Sequence, residues 1–451
     1  MLPPKNILVV GGNAAGPAAA AKAKRTSPGS NVILFEAGNF ISTGTCELPY
    51  VLSDVIDDYG KILFYSPESF EKEKQVKVLV NHFVEKIDRA RKTITARNTL
   101  SNQSIDFPYD RLILTTGSKA KTIPSLPAEL KNVFALKNVN DLIRIKSYLK
   151  NNGAGRVLII GAGYVGLESA ESFKKLGCSV TIIEKEKLPM PYADEEIGAL
   201  LLDLLKKNDV EFIGGVRDIK FGINDNKLES ITYEGRTQEY DLVLVAIGFE
   251  PNNSLAVSAK LQTSRYGGIK VDQKLRTNDP DIFAAGDNIE IINKITSQPD
   301  YFPIATTAHT FAHIAGENAA GGNSYIKSTV KNIAVKIFDK NLVIVGLNST
   351  EASNNRFNFG SVREVAPNLV KVMPESESVF GKIIFEKSSK KILGAVFLGK
   401  KEVTGYGDLI ASFIHNNIKV TELANINYNY TPPLSPFINL LSLLGRKAGK
   451  D

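Results

Sequence analysis

The sequence predicts an α/β protein with two similar nucleotide-binding units and a smaller α+β domain at its end. Residues 6–38 and 156–186 follow one plan: an apolar strand, a glycine turn, a small-residue helix, a second apolar strand and a glutamate. This alternation of strand and helix is typical of parallel sheets with crossover helices. From about residue 330 the pattern changes to strand pairs with tight polar turns, which predict antiparallel hairpins in a separate domain.

Composition narrows the class of protein. The 451 residues carry 55 basic and 48 acidic side chains, and the lysines behind the net charge of +7 are spread along the chain, so we expect no nucleic-acid partner. No apolar run reaches the roughly 18 residues of a membrane span, which predicts a cytoplasmic protein. Cys46 and Cys178 are too few for a disulfide framework, which fits a reducing compartment and favours catalysis or burial as the use of each cysteine.

The second unit carries the more regular glycine turn, "GAGYVGLE". Gly161, Gly163 and Gly166 complete a G-x-G-x-x-G pattern that follows a strand and opens a helix, as a Rossmann-like dinucleotide site requires. Glu184 ends the next strand, where a ribose 2′-hydroxyl needs an acceptor. A carboxylate there repels a 2′-phosphate, so we expect NADH, although nearby Lys185 and Lys187 leave NADPH open.

The first unit, "GGNAAG", is less regular. Gly11, Gly12 and Gly16 form its turn, with Asn13 in the place of the second glycine, and Glu36 closes the following strand as the ribose contact. Two nucleotide sites in one chain indicate a flavin and a nicotinamide.

Three further segments carry a resemblance to a known family. "LILTTGS" (112–118), "LVLVAIGFEPN" (242–252) and "TNDPDIFAAGDN" (277–288) resemble the strand-to-glycine segments of flavoprotein reductases with two dinucleotide domains. The resemblance implies FAD as the flavin, with Asp287 at its ribityl chain and further cofactor contacts at Thr116, Gly117 and Gly248. It also implies an FAD-binding domain over 1–120 and 246–326, an NAD(P)-binding domain over 121–245 and a dimerisation domain over 327–451.

Within that family the chain is most similar to the single-cysteine branch: coenzyme A disulfide reductases, NAD(P)H persulfide reductases and NADH oxidases. "STGTCELPY" carries the branch pattern through Ser42, Cys46, Pro49 and Tyr50. "NYTPPLSP" (429–436) matches the C-terminal signature. The resemblance implies a homodimer in which Tyr430 is an active-site residue that reaches the partner subunit's site.

Cys46 has no second cysteine nearby, since "CELPYVLSDV" contains none. Its oxidised form must therefore be a mixed disulfide, a persulfide or a sulfenic acid. Pro49 suits the first turn of a helix, which predicts a lowered thiol pKa at the helix N-terminus. Glu47 opposes this prediction, because a carboxylate beside the thiol raises its pKa and repels anionic thiols. Cys178 enters an apolar strand and is expected to be buried and inert.

Substrate residues follow only from the resemblance. The coenzyme A contacts of the disulfide reductases fall on Lys22, Arg25, Ser42, Thr45, Lys74 and His309. The chain departs from the branch in three places: Thr45 replaces an asparagine, 366–376 lacks a second tyrosine, and Ile438 stands where a lysine helps to bind the ligand. The acceptor therefore stays open among small-molecule disulfides, persulfides and polysulfides, with coenzyme A derivatives included.

The predicted activity is reduction of a disulfide or persulfide by NAD(P)H through FAD and the single cysteine. Two alternatives stay open. One is an NADH oxidase that reduces oxygen through a sulfenic acid at Cys46, and the other is a flavin-based redox sensor or electron-transfer component with little turnover. No metal site is expected. The closing residues 445–451, "GRKAGKD", are predicted to be a solvated tail.

Overall fold

The computed structural model describes residues 5–127, 129–326 and 328–450. The first nucleotide-binding unit is built on a five-stranded parallel sheet, and its strands come from two separate stretches of chain. In spatial order the strands are Ile282–Ala284, Arg111–Leu114, Asn6–Val10, Asn31–Phe35 and Lys77–Leu79. The elements of its N-terminal stretch are β1 Asn6–Val10, α1 Ala15–Thr26, β2 Asn31–Phe35, β3 Ile41–Thr43, α2 Leu48–Leu52, a 3₁₀ turn Tyr59–Ile62, β4 Leu63–Tyr65, α3 Pro67–Lys74, β5 Lys77–Leu79, β6 His82–Asp88, β7 Thr93–Asn98, β8 Ser104–Pro108, β9 Arg111–Leu114 and β10 Ser118–Ala120.

The second unit repeats this plan with a parallel sheet of order β11-β18-β12-β13-β14. Its elements are β11 Val133–Phe134, α4 Val139–Asn152, β12 Arg156–Ile160, α5 Tyr164–Lys175, β13 Ser179–Glu184, α6 Glu195–Lys207, β14 Val210–Gly214, β15 Lys220–Asn224, β16 Lys227–Tyr233, β17 Arg236–Glu239 and β18 Leu242–Val245. The chain then returns to the first unit through β19 Phe249–Pro251, α7 Ser254–Ser258, β20 Ile282–Ala284, β21 Ile291–Ile292, β22 Pro299–Asp300 and α8 Ala305–Ala319.

The C-terminal domain is an antiparallel sheet of order β23-β24-β27-β26-β25 covered by helices. Its elements are β23 Asn332–Ile337, β24 Lys340–Gly346, α9 Ser349–Asn354, β25 Phe359–Pro367, β26 Ser378–Glu386, β27 Ile392–Gly399, α10 Glu402–His415, a 3₁₀ turn Val420–Ala424 and α11 Leu440–Ala448. The predicted α/β class and the predicted hairpins are confirmed. The exact domain boundaries stay predictions, and the one at residue 327 lies outside the described residues.

The prediction of a solvated tail over 445–451 is only partly right: Arg446, Lys447, Gly449 and Lys450 are exposed, whereas Gly445 and Ala448 are buried, and Asp451 lies outside the described residues. Helix α11 runs through Gly445 to Ala448, and Ala448 is completely buried rather than solvated. The reason is an apolar face formed by Leu440, Leu441, Leu444 and Ala448, which packs against the antiparallel sheet.

The hydrophobic cores join the units. One core fills the first unit on both faces of its sheet. The core of the second unit also takes in Leu48, Val51 and Leu52 of α2 and Val335 and Leu342 of the C-terminal sheet. Helix α2 directly follows Cys46 in the chain, yet it packs on the second unit. This packing brings the cysteine to the junction of the two nucleotide-binding units. No helix in the described residues is long and apolar enough to cross a membrane.

Candidate active site

The glycine turns of both units bring backbone amides to the carboxyl end of a sheet. Gly11 and Gly161 adopt positive φ values of +112° and +105°. A Cβ atom on Gly16 would lie 1.7 Å from the carbonyl oxygen of Gly11, and one on Gly166 would lie 2.0 Å from that of Gly161. Only glycine permits this close approach of helix to turn, which leaves the helix N-terminus open to a phosphate.

The two glutamates hold equivalent positions. Glu36 accepts hydrogen bonds from the amides of Gly12 and Gly38, both at 2.7 Å. Glu184 accepts from the amides of Ala162 at 2.8 Å and Glu186 at 3.1 Å. Each carboxylate is thus fixed beside its own glycine turn. A carboxylate oxygen has more than one lone pair, so each can still accept from a ribose hydroxyl.

Asp287 follows β20 and lies in a polar part of the first unit. Its carboxylate accepts from the hydroxyl of Ser118 at 2.9 Å, and the ammonium of Lys137 lies 3.5 Å away. Two buried polar atoms nearby, Oδ1 of Asn288 and the hydroxyl of Tyr301, have no hydrogen-bond partner among the described residues. Unpartnered buried polar atoms are costly, and a polar ligand in this part of the unit would satisfy them.

The neighbouring loop residues are placed around open space. The hydroxyl of Thr116 donates to the carbonyl of Asn252 at 2.6 Å. Gly117 and Gly248 have positive φ values of +66° and +98°, and a Cβ atom on either would meet no atom within 4 Å. These residues, with the glycine turns and the two glutamates, form cradles that fit two dinucleotides.

Two tyrosines that sequence reasoning missed lie at the second glycine turn. The rings of Tyr164 and Tyr192 stack with centroids 6.3 Å apart and planes 10° apart. Tyr192 is held from the C-terminal domain, since the side chain of Asn348 donates to its carbonyl oxygen at 3.0 Å. No local sequence signal indicates this contact, because 156 residues separate the two partners.

Cys46 is exposed, and it lies between β3 and α2. Helix α2 is held against the second unit by a hydrogen bond from the hydroxyl of Ser172 to the carbonyl of Pro49 at 2.8 Å. Pro49 does lie in the first turn of α2, as predicted.

The predicted lowering of the thiol pKa is wrong. Although Cys46 is exposed at the surface, the protein packed around its sulfur removes part of the thiol's hydration, and this desolvation raises the thiol pKa. Glu47 and Glu168 raise the pKa further, and Lys137 opposes them. The physical reason is that α2 has only five residues and supplies little helix dipole, whereas desolvation and the neighbouring carboxylates act directly on the thiol. Glu47 raises the thiol pKa, in the direction predicted from the sequence.

Glu168 and Tyr50 form a second pair near the thiol. Burial, followed by the charge of Glu171, raises the pKa of Glu168 to about 7. Burial and Glu168 raise the pKa of Tyr50 to about 12. Glu171 itself is engaged by Lys336 at 2.7 Å and Lys175 at 2.8 Å. A carboxyl group that titrates near neutral pH therefore lies behind the thiol segment.

The predicted substrate residues fall into separate groups. Lys22 and Arg25 lie on α1, which packs against α8, and Lys22 pairs with Glu317 of α8 at 2.7 Å. His309 is also on α8, where its ring lies 4.5 Å from that of His313.

The other predicted contacts lie elsewhere on the chain. Ser42, with a positive φ of +50°, donates its amide to the carbonyl of Gly12 at 2.9 Å. Thr45 directly precedes Cys46. Lys74 lies over the ring of Tyr65 at 5.0 Å. No hydrogen bond or ion pair joins Lys74 to the α1 or α8 group within the described part of the chain.

Tyr430 belongs to an exposed apolar segment. Its ring packs edge-on against Phe437 at 5.3 Å, and Leu434 and Phe437 are each about three-quarters exposed, at 76% and 75%. The other cysteine, Cys178, is buried as predicted, with its thiol on the carbonyl of Ala154 at 3.2 Å. In the described ranges, no three His, Cys, Asp or Glu side chains form a metal-binding group.

Comparison with known proteins agrees with this architecture. A coenzyme A disulfide reductase of Staphylococcus aureus is 31% identical over 444 residues, which cover 98% of this chain and 99% of that protein. The structure of an NAD-dependent persulfide reductase from A. fulgidus superposes with a TM-score of 0.95 at 28% identity, over 99% of this chain and 83% of that one. A water-forming NADH oxidase from Lactobacillus brevis, solved with NADH, superposes with a TM-score of 0.93 at 26% identity, over 99% and 98%.

Family models account for most of the chain. Residues 333–440 match the dimerisation domain of the pyridine nucleotide-disulphide oxidoreductases, which supports a homodimer. Residues 5–309 match the model of the pyridine nucleotide-disulphide oxidoreductases themselves. The predicted resemblance is confirmed: the chain is an enzyme of the pyridine nucleotide-disulphide oxidoreductase family, whose members use a flavin and a pyridine nucleotide.

Proposed function

We propose that this enzyme uses NADH and FAD to reduce a small-molecule disulfide at Cys46. The observation that carries the proposal is the position of this thiol. Cys46 is exposed at the junction of the two nucleotide-binding units, where Asp287 of the first unit and Glu168 of the second both act on it. Cys178, the only other cysteine of the chain, is buried, so Cys46 has no resolving cysteine in its own chain, and its disulfide partner in the proposed reaction is an external sulfur compound.

FAD fits the first unit. The turn of Gly11, Gly12 and Gly16 would hold its pyrophosphate, and Glu36 its adenosine ribose. Asp287, Thr116 and Gly117 would line the rest of the FAD site, and the unpartnered atoms of Asn288 and Tyr301 would supply further polar contacts. Bound FAD supplies a carrier that takes an electron pair from the nicotinamide and passes it to sulfur.

NADH fits the second unit by the same argument. Gly161, Gly163 and Gly166 would hold its pyrophosphate, and Gly248, which follows β18 and has open space beside it, would contact another part of the cofactor. Glu184 favours NADH over NADPH because its fixed carboxylate accepts from a 2′-hydroxyl and repels a 2′-phosphate. Lys185 and Lys187 are exposed, so either ammonium group would attract the 2′-phosphate of NADPH only weakly.

The sulfur chemistry belongs to Cys46. Its thiolate attacks one sulfur of the acceptor, the acceptor's S–S bond breaks, and a mixed disulfide forms with release of one thiolate, which takes up a proton. The electron pair from NADH then cleaves the mixed disulfide and releases the second thiol, so that NADH, a proton and RSSR give NAD⁺ and two RSH. Tyr430, carried on the exposed C-terminal segment, is the proposed proton donor in the partner's site.

Coenzyme A disulfide is a reasonable acceptor to test first. The S. aureus relative is named for it, and Lys22, Arg25 and His309 place positive and titratable groups on the packed pair α1 and α8. Lys22 is paired with Glu317, so an anionic ligand must compete with that carboxylate. Ser42 and Thr45 lie in the segment that carries Cys46, and Lys74 lies on α3. These three residues would contact other parts of a ligand.

The second candidate is an NADH oxidase. The likeness to the L. brevis enzyme favours it, together with an exposed thiol that has no resolving cysteine, since such a thiol can cycle through a sulfenic acid. The test is anaerobic turnover with NADH against coenzyme A disulfide, coenzyme A persulfide and polysulfide, and separately turnover with oxygen alone. Turnover with a sulfur acceptor that exceeds oxygen consumption at least about tenfold supports the proposal. Full activity with oxygen alone supports the oxidase, and rapid reduction by NADH without turnover of any acceptor indicates a sensor or electron carrier.

A further inference from the structure

Glu47, the residue after the thiol, carries a charge with no structural partner. It is the residue before helix α2, yet its side chain makes no capping hydrogen bond. The carboxylate folds back over Gly44, where a Cβ atom would lie 2.5 Å from Oε2 of Glu47. Within the described part of the chain it accepts no hydrogen bond and pairs with no cation. Glu47 is partly buried and keeps contact with water, and its charge is not offset by any cation in the described residues.

The surroundings of the thiol are acidic even without Glu47. The groups that face the thiol are Glu47 and Tyr50 from its own segment, Glu168 from α5, Asp287 from the turn after β20, and Lys137 from the turn before α4. Lys137 is the one cation of this group, and it is already engaged, because it lies 3.5 Å from Asp287 and 4.3 Å from the centre of the Phe249 ring.

We propose that Glu47 makes the thiol site selective for acceptors that are neutral at their sulfur atoms, such as an organic disulfide, over anionic sulfur compounds such as polysulfide. This inference rests on the function proposed above and names the substrate class of that site. An acceptor sulfur that contacts the Cys46 sulfur approaches the adjacent residue, Glu47, whose carboxylate already acts on the thiol. A charge on that sulfur is then repelled, whereas the neutral S–S bond of an organic disulfide is not.

The phosphates of a coenzyme A disulfide do not alter this selection. A long neutral chain separates these phosphates from the reacting sulfur. At that distance, dissolved salt screens the repulsion between the phosphates and the Glu47 carboxylate. Selection at the thiol therefore acts on the charge of the reacting sulfur and leaves the rest of the ligand free to be anionic.

The test compares two alkylating agents of similar size, neutral iodoacetamide and anionic iodoacetate. The dithiothreitol-reduced holoenzyme is labelled under anaerobic conditions, and the Cys46 peptide is quantified by mass spectrometry, with Cys178 protected by burial. Glu47→Gln should raise the rate with iodoacetate relative to iodoacetamide by about tenfold, the effect of one pKa unit of charge interaction. The intrinsic difference between the reagents cancels in this comparison. Asp57→Asn, an exposed charge paired with Lys61 in the following loop, should leave the ratio unchanged.

A second measurement uses the substrates themselves. Glu47→Gln should raise kcat/KM for polysulfide relative to an organic disulfide by about tenfold. An iodoacetate-to-iodoacetamide ratio that is the same in the wild type and in Glu47→Gln overturns the inference. If the wild type turns over no sulfur acceptor, the proposed function fails, while the alkylation ratio still decides whether Glu47 selects by charge.

Discussion

The hydroxyl of Ser172 donates to the carbonyl oxygen of Pro49 over 2.8 Å. This bond links helix α5, which begins at the second glycine turn, to helix α2, which follows Cys46. It therefore couples the thiol segment of the first unit to the nicotinamide side of the second. Ser172 is buried, so the bond is shielded from water.

Ser172→Ala should lower the free energy of unfolding by about 1 kcal/mol, the net contribution of one buried hydrogen bond. The carbonyl of Pro49 keeps two donors, the amide of Ser53 at 3.1 Å and the hydroxyl of Ser53 at 3.0 Å, so it is not left unsatisfied. Ser169→Ala is the matched control on the same helix, because the buried Ser169 hydroxyl has no partner and its loss should be neutral or stabilising. Urea unfolding of both holoenzymes measures the difference, and equal destabilisation by the two variants would disprove the coupling.

The raised pKa of Glu168 predicts a pH dependence of stability. Its pKa rises from 4.5 to about 7 on folding, so between these values the folded state binds more protons than the unfolded chain. Stability contributed by this group is therefore lost as the pH rises through the window. Glu168→Gln should flatten the melting temperature between about pH 4.5 and about pH 7. Exposed Glu195→Gln should keep the wild-type profile; an unchanged profile in Glu168→Gln would show that the carboxyl does not titrate in this range.

Cofactor preference follows from Glu184. We expect NADH to exceed NADPH in kcat/KM by roughly 30-fold, which corresponds to about 2 kcal/mol of discrimination. Glu184→Gln should reduce this ratio by about tenfold, because the repulsion of the 2′-phosphate is removed. Glu186→Gln makes the same charge change two residues away, where the carboxylate faces Arg217 at 3.9 Å, and should leave the ratio unchanged. Equal use of both cofactors by the wild type would show that Lys185 or Lys187 outweighs Glu184.

Flavin retention tests the first unit. Asp287→Ala should purify with less than about half the flavin of the wild type, because it removes the carboxylate that Ser118 and Lys137 orient in the proposed cradle. Visible absorbance relative to protein absorbance measures the flavin content. Glu290→Gln, three residues further along, should keep it. Full flavin content in the folded Asp287→Ala protein would remove Asp287 from the cofactor site.

The repeated strand, turn and helix pattern made much of the fold predictable from sequence. Gly161, Gly166 and Glu184 are separated by fixed distances in the chain, so local geometry alone places them around one turn. Helix α11 was predictable too, since Leu440, Leu444 and Ala448 recur every four residues, a period that the prediction of a solvated tail overlooked.

Other features depend on contacts between distant parts of the chain. The position of Tyr192 depends on Asn348, and the raised pKa of Glu168 depends on how α2 packs against α5. The thiol pKa of Cys46 also depends on distant parts of the chain. Its neighbour Glu47 raises this pKa, but so do burial and Glu168, which is far away in sequence. Sequence patterns report neighbours along the chain, and these effects arise from neighbours in space.

The most direct test of the proposed function is the substitution Cys46→Ser. The variant should keep its flavin and its reduction by NADH but lose nearly all turnover of a disulfide acceptor, because a serine hydroxyl is not ionised near neutral pH and cannot exchange with sulfur. Cys178→Ser is the control, since the buried Cys178 lies outside the junction and its replacement should keep acceptor turnover. Anaerobic stopped-flow reduction by NADH, followed by steady-state disulfide reduction, separates the two steps. Wild-type disulfide turnover by Cys46→Ser would contradict the account, because electrons would then reach the acceptor without this thiol.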